Sequence, residues 1–180
     1  MKRILLMPRI FWLLPMVLLG SCRSNDKREV RVDTSNIVQQ VAVVNKELAI
    51  SDGELMDRYF QRRGWDYKST GSGVFYSIVT KGKGVSVNKG TTVQISYRIT
   101  LLNGAVCYGI AAPLEKEFVA GMGKEISGLE EVVLLMKEGD RAIVAIPPHL
   151  AYGLLGDEDK IPPRSTIIYD LTIVKVFQNS

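Results

Sequence analysis

Residues 146–163 read IPPHLAYGLLGDEDKIPP, and what this stretch connects decides the fold. On one side lies Arg141–Ile146 and on the other Thr166–Phe177, both apolar and rich in β-branched residues, as strands are. Between them sit an aromatic turn, Ala151-Tyr152-Gly153, a second glycine, the acidic run Asp157-Glu158-Asp159, and Ile161 pinned by Pro162 and Pro163. Two readings are open: a decorated hairpin, or the lid of a binding site.

Working outward, the same two-residue period appears earlier in the chain. Val74, Tyr76 and Ile78 alternate with small or polar residues, and Val93, Ile95, Tyr97, Ile99 and Leu101 do so again. Asn103-Gly104 follows, a strong hairpin signal because both residues tolerate positive φ. Helical period interrupts the strands once: Ile126, Leu129, Val132, Val133 and Met136 form an apolar stripe that stops at Gly139. The pattern predicts an α+β domain over residues 73–178, an antiparallel sheet with one short helix on its apolar face. Ahead of it, residues 36–64 predict a helical leader of two short amphipathic helices. Ile37, Val41, Val44 and Leu48 mark the first, and Leu55, Met56, Tyr59 and Phe60 the second, with Ser51 and Glu54 as a capping box between them. Arg62-Arg63-Gly64 closes the second. Such a leader packs on the domain or pairs two copies into a homodimer.

The first residues, MKRILLMPRIFWLLPMVLLGSC, place Lys2, Arg3 and Arg9 ahead of an apolar run from Ile10 to Leu19 that ends in small residues. That is the layout of a secretory signal peptide over residues 1–21, with too short an apolar run for a convincing spanning helix. Leu19-Gly20-Ser21-Cys22 resembles the lipobox of bacterial lipoproteins, which implies lipidation at Cys22 and a membrane anchor. Residues 22–35 are polar and charged and read as a flexible tether. Loss of Lys2, Arg3 and Arg9 with the signal takes the formal charge of +4 down to +1, so no nucleic-acid partner is expected. Only Cys107 then remains as a free thiol, which excludes an intramolecular disulfide or a cysteine zinc cluster. The single histidine, His149, excludes a catalytic triad. Asp157-Glu158-Asp159 lacks the alternating spacing of a calcium loop and reads as a solvated tip. No metal and no cofactor are expected.

Three blocks carry a family resemblance: Gly90…Val93…Tyr97…Asn103-Gly104; Gly121…Ile126-Ser127-Gly128-Leu129-Glu130-Glu131…Gly139-Asp140; and Ile146-Pro147-Pro148…Ala151-Tyr152-Gly153…Gly156…Ile161-Pro162-Pro163…Tyr169. In this order and at this spacing the chain resembles the FKBP-type peptidyl-prolyl cis-trans isomerases. The leader's YFQRRGWDYKSTGSGVFY is similar to that of lipoprotein members, including the gliding-motility-associated subgroup. The resemblance implies a twisted antiparallel sheet wrapped on one helix, and a pocket for proline-containing polypeptide clients. It implies the following pocket: Tyr97 on one wall, the Ile126 amide as donor to the bound peptide, the Tyr152 hydroxyl as donor to the substrate carbonyl, Ile161 as cover, and Tyr169 in place of a phenylalanine on the last strand. Several positions depart from the pattern. Cys107-Tyr108 stands where the family has Phe-Asp, and no carboxylate replaces the aspartate. A bulge there would let Tyr108 supply the ring that Cys107 lacks. Leu129 replaces the tryptophan of the pocket floor, Lys116 a phenylalanine, with Phe118 two residues on, and Glu125 replaces the valine beside Ile126. The expectation is an envelope-located bacterial lipoprotein, on the outer membrane and facing the periplasm, that isomerises prolyl bonds of exported proteins more slowly than the best of the family. The alternative is a non-catalytic module that binds proline peptides or clients.

Overall fold

In the computed structural model, residues 34–177 are described; the expected signal peptide, Cys22 and most of the tether lie outside them. The order of elements is α1 (Thr34–Gln61), β1 (Lys68–Ser69), β2 (Phe75–Thr80), β3 (Thr92–Leu101), β4 (Val106–Tyr108), β5 (Leu114–Val119), α2 (Ser127–Val133), β6 (Arg141–Ile146), a 3-10 turn at Pro148–Leu150, and β7 (Ile167–Phe177). The sheet runs β1-β2-β6-β7-β3-β4, with β5 also paired to β3, and every pairing is antiparallel. β3 is its hub. Along one edge it pairs with β7 from Thr92↔Phe177 to Leu101↔Ile167, and along the other it is shared between β5 and β4.

One residue sets the twist of the β3–β4 hairpin. Ile99 pairs with Tyr108 but Thr100 pairs with Val106, so Cys107 is the extra residue of a bulge. The turn before it is closed by the Asn103 side chain, which accepts the Ala105 N–H at 3.0 Å, with Gly104 at φ 88°.

The two faces of the sheet are covered by different helices. Val93, Ile95, Ala142, Val144, Ile146, Ile167, Leu171 and Ile173 face α2, which contributes Leu129, Val132 and Val133. Gly128 of α2 lies so close to β6 that a Cβ there would meet Ile146 Cγ2 at 2.3 Å. The intervening residues Ile143, Ala145 and Ile168 point the other way and pack on Met56, Tyr59 and Phe60 at the end of α1. The expectation of one covering helix is therefore incomplete. β6 is buried on both faces, which is why its sequence AIVAI shows no polar alternation.

The leader also differs from expectation. α1 is one continuous helix of 28 residues, and Ser51-Asp52-Gly53-Glu54 lies inside it rather than capping a second helix. An internal glycine costs about 1 kcal/mol relative to alanine. Tertiary contacts outweigh that here: Asp52 is buried and ion-paired to Arg164 at 3.3 Å, and Met56 and Phe60 are sealed in the core. The stop signal is as expected. Gly64 adopts φ 64°, and the Arg62 and Arg63 side chains donate to the carbonyls of Arg58 and Tyr59, satisfying acceptors that the last turn leaves open. The aromatic residues after the helix complete the seal, with the Phe60 ring centroid 5.1 Å from Tyr67, 6.0 Å from Trp65 and 6.4 Å from Phe75.

Candidate functional site

On the α2 side of the sheet, the residues expected at the pocket come together in one cluster. Tyr169 on β7 and Leu129 on α2 are buried, as are Ile161, Phe118 on β5 and Cys107 at the bulge. Tyr97, Tyr108, Ile126 and Tyr152 are half-buried against the same cluster. The buried group is termed the floor of the candidate site and the half-buried group its rim.

Tyrosines dominate that rim. The rings of Tyr97 and Tyr169 lie 5.6 Å apart, tilted at 34°. Burial pushes the Tyr152 and Tyr169 hydroxyls above the ordinary tyrosine range, and the two hydroxyls act on each other. Tyr169, at 3% exposure, thus brings its extra hydroxyl towards that of Tyr152.

α2 is positioned by a carboxylate. Glu130, itself buried, accepts the N–H groups of Gly121, Lys124 and Glu125, the last two at 2.8 and 3.1 Å. The loop so folded delivers Ile126 to the N-cap of α2. The Ile126 carbonyl accepts from Leu129 and Glu130, whereas its N–H has no acceptor among the described residues and borders the rim.

Where the resemblance implies phenylalanine and valine, Lys116 and Glu125 form an ion pair at 2.8 Å. Glu125 is the more buried partner, at 15% side-chain exposure against 42% for Lys116, so the rim shows the ammonium. Its charge acts on the Tyr97 and Tyr152 hydroxyls.

The bulge does not exchange Cys107 and Tyr108. Cys107 faces the core as a small hydrophobe, its thiol pushed up by burial and further by the Asp157 charge, and so it is a poor nucleophile. Tyr108 is half-buried beside it and its hydroxyl donates to Asp157. Tyr108, which stands where the resemblance implies the aspartate, thus meets a carboxylate from the loop after β6. Asp157 is also no solvated tip: Oδ1 accepts the N–H groups of Asp159, Lys160 and Ile161 at 3.1, 2.9 and 2.7 Å. An aspartate followed by main-chain N–H groups two to four residues on is a turn signature that the sequence does contain. The pairing with Tyr108 has no such local sign.

His149 is exposed in the 3-10 turn, as expected. It borders a cavity of about 450 Å³ that lies outside the tyrosine cluster, between α1 and the residue 148–164 segment, with Leu48, Asp52, Leu154 and Arg164 among its walls. Among the described residues no group of His, Cys, Asp and Glu is arranged to hold a metal ion.

Comparison with known proteins agrees with this geometry. A family model described as FKBP-type peptidyl-prolyl cis-trans isomerase matches residues 83–174. The chain belongs to that family. It is 33% identical over 114 residues to the "Probable FKBP-type peptidyl-prolyl cis-trans isomerase" of Haemophilus influenzae, across 63% of this chain and 47% of that protein. It is 34% identical over 109 residues to the probable FkpA of Neisseria meningitidis, across 61% and 40%. The chain thus spans less than half the length of these relatives. In fold it is similar to the peptidyl-prolyl cis-trans isomerase of Pseudomonas syringae, with a TM-score of 0.61 at 22% identity over 74% of this chain and 96% of the other.

Proposed function

We propose that the protein is a peptidyl-prolyl cis-trans isomerase acting on proline-containing segments of exported proteins. An X–Pro bond resists rotation by roughly 18–20 kcal/mol because amide resonance must be broken. No nucleophile, metal or cofactor is required to lower it. A pocket need only take the proline out of water, where the polar planar amide loses solvation, and hold the flanking chain with a few donors. In this reading the buried floor of Tyr169, Leu129, Phe118, Cys107 and Ile161 receives the proline ring. The Ile126 N–H holds the following backbone, and the Tyr152 hydroxyl donates to the carbonyl of the twisting bond. Tyr97 closes one wall.

The observation that carries this reading is that Tyr97, Ile126, Tyr152, Ile161 and Tyr169 gather on one core cluster, with Tyr152 left half-buried at its edge. A protease-coupled assay on Xaa-Pro tetrapeptides tests it. The isomerase reading expects a rate above buffer that Tyr152→Phe lowers roughly tenfold, about 1.4 kcal/mol, within the range of one hydrogen bond to a developing charge. A wild-type rate equal to buffer would sink it.

The Lys116–Glu125 pair favours a second reading, a client-binding module of little rate, because it puts charge where the family pocket is apolar. Saturable binding of a proline peptide without acceleration would select that one.

The same proposal places the chain in a bacterial cell envelope, lipidated at Cys22 and held on the outer membrane facing the periplasm. The signal-like residues 1–21, the lipobox and the leader's likeness to gliding-motility-associated lipoproteins support it. Incorporation of labelled palmitate that Cys22→Ala abolishes is the expected result. The exposed stripe Ile37, Val41 and Val44 of α1 supports pairing of two copies through the leader.

A further inference from the structure

The loop between β6 and β7 is closed at its base, where the Arg164 N–H donates to the Gly153 carbonyl at 3.0 Å. Within it the chain crosses itself so tightly that a Cβ on Gly156 would lie 2.2 Å from the Ile161 carbonyl oxygen. Asp157 folds the crossing. Its Oδ1 takes three successive N–H groups, ending with that of Ile161, and its own N–H donates to the Ile161 carbonyl at 3.2 Å. Ile161, 3% exposed, is thereby fixed in the pocket floor.

Oδ2 of the same carboxylate is not needed for the loop's own fold. It accepts the Tyr108 hydroxyl from β4, on a different part of the sheet. Asp159 offers that hydroxyl a second acceptor at 3.4 Å, and the Lys160 ammonium stands 4.9 Å over the Tyr108 ring. β4 is in turn steadied next to Tyr108, where the Arg98 side chain donates to the Gly109 carbonyl at 2.8 Å. One carboxylate therefore joins the loop carrying Tyr152 and Ile161 to the strand carrying Cys107 and Tyr108. Its charge also acts on the Tyr152 hydroxyl.

We propose that Tyr108 and Asp157 form a latch that positions Ile161 and Tyr152 over the proline pocket, the loop returning the carboxylate that the family carries on the strand. Both are positioning residues, acting through Ile161 and Tyr152, and the proposal rests on the isomerase reading. A carboxylate serving only as a loop staple would gain nothing from a hydroxyl 49 residues away in sequence.

The test uses the full-length protein and two variants. Tyr108→Phe removes the hydroxyl and leaves the ring, the Lys160 contact and all three N–H bonds to Asp157. Asp157→Asn keeps a carbonyl acceptor for the N–H groups and removes the charge. Hydrogen exchange of residues 156–161 reads the latch whether or not the protein is an enzyme, and the tetrapeptide assay reads positioning. Hydrogen bonds to charged groups, discounted for partial exposure, set the expected size at about five- to tenfold. The latch predicts exchange faster by that factor in either variant, kcat/KM lower by a similar factor, and a double variant no worse than the poorer single one. Exchange and rate both within twofold of wild type in both variants would overturn it. Faster exchange with an unchanged rate would reduce the pair to a structural staple and overturn the positioning role. A wild type with no rate would remove the isomerase reading and the positioning role together, and the exchange data would still say whether loop and strand are coupled.

Discussion

Tyr169 differs from a phenylalanine by one oxygen, and that oxygen is buried with a partner. Its hydroxyl acts on that of Tyr152. Tyr169→Phe keeps the ring against Tyr97 and removes only the hydroxyl. The half-buried Tyr152 can replace the lost bond with water, so stability should fall by no more than about 1 kcal/mol. Isomerisation should fall about two- to fivefold, because Tyr152 is then free to turn. An equal or faster rate in the same assay would show that Tyr169 serves packing alone. At this scale the candidate pocket residues came from the family resemblance and not from spacing. Asp157 was read as a solvated tip, and the pairing of Lys116 with Glu125 was not foreseen, because the partners Tyr108 and Glu125 lie across loops whose course no local pattern reveals.

Among the elements, α2 has the least freedom. It has only seven residues and reaches β6 through Gly128, where no side chain fits. Gly128→Ala would drive a methyl into Ile146 and cost about 1–3 kcal/mol as overpacking, offset by a fraction of a kcal/mol of helix propensity. The urea midpoint should fall, with the slope of the transition unchanged; an unshifted midpoint would mean that the helix moves away freely. α1 shows the opposite balance. Its sequence contains a glycine and a plausible cap in mid-course, which by propensity divides it. Burial of Asp52, Met56, Tyr59 and Phe60 keeps it whole, since tertiary packing supplies most helical stability.

At the scale of the whole molecule, the leader is part of the core and not an appendage to it. The end of α1, with Trp65 and Tyr67 after it, covers the back face of β6 and β7. Deleting residues 1–61 would bare Ile143, Ala145, Ile168 and Phe75 while also removing Met56 and Phe60, each worth about 1.5–3 kcal/mol of burial. The shortened chain should bind a hydrophobic dye and melt at a lower temperature than the full chain. Equal melting temperatures would show that the sheet stands without the helix. A clue was present in the sequence: the AIVAI run of β6 has no polar face, so something had to cover both sides.

From the sequence alone follow β2, β3, β6 and β7, the hairpin at Asn103-Gly104, the α2 stripe and the family resemblance, because each depends on periodicity or on residues close together in the chain. That resemblance, carried by three blocks of sequence, named Tyr97, Ile126, Tyr152, Ile161 and Tyr169, which the fold gathers on one core cluster. Only the tertiary structure decided that the leader is one helix on the back of the sheet and that the loop supplies a carboxylate to Tyr108. It alone brought the Tyr169 hydroxyl towards that of Tyr152. These depend on contacts between residues far apart in sequence, whose energies appear only when the sheet has brought them within hydrogen-bonding or van der Waals distance.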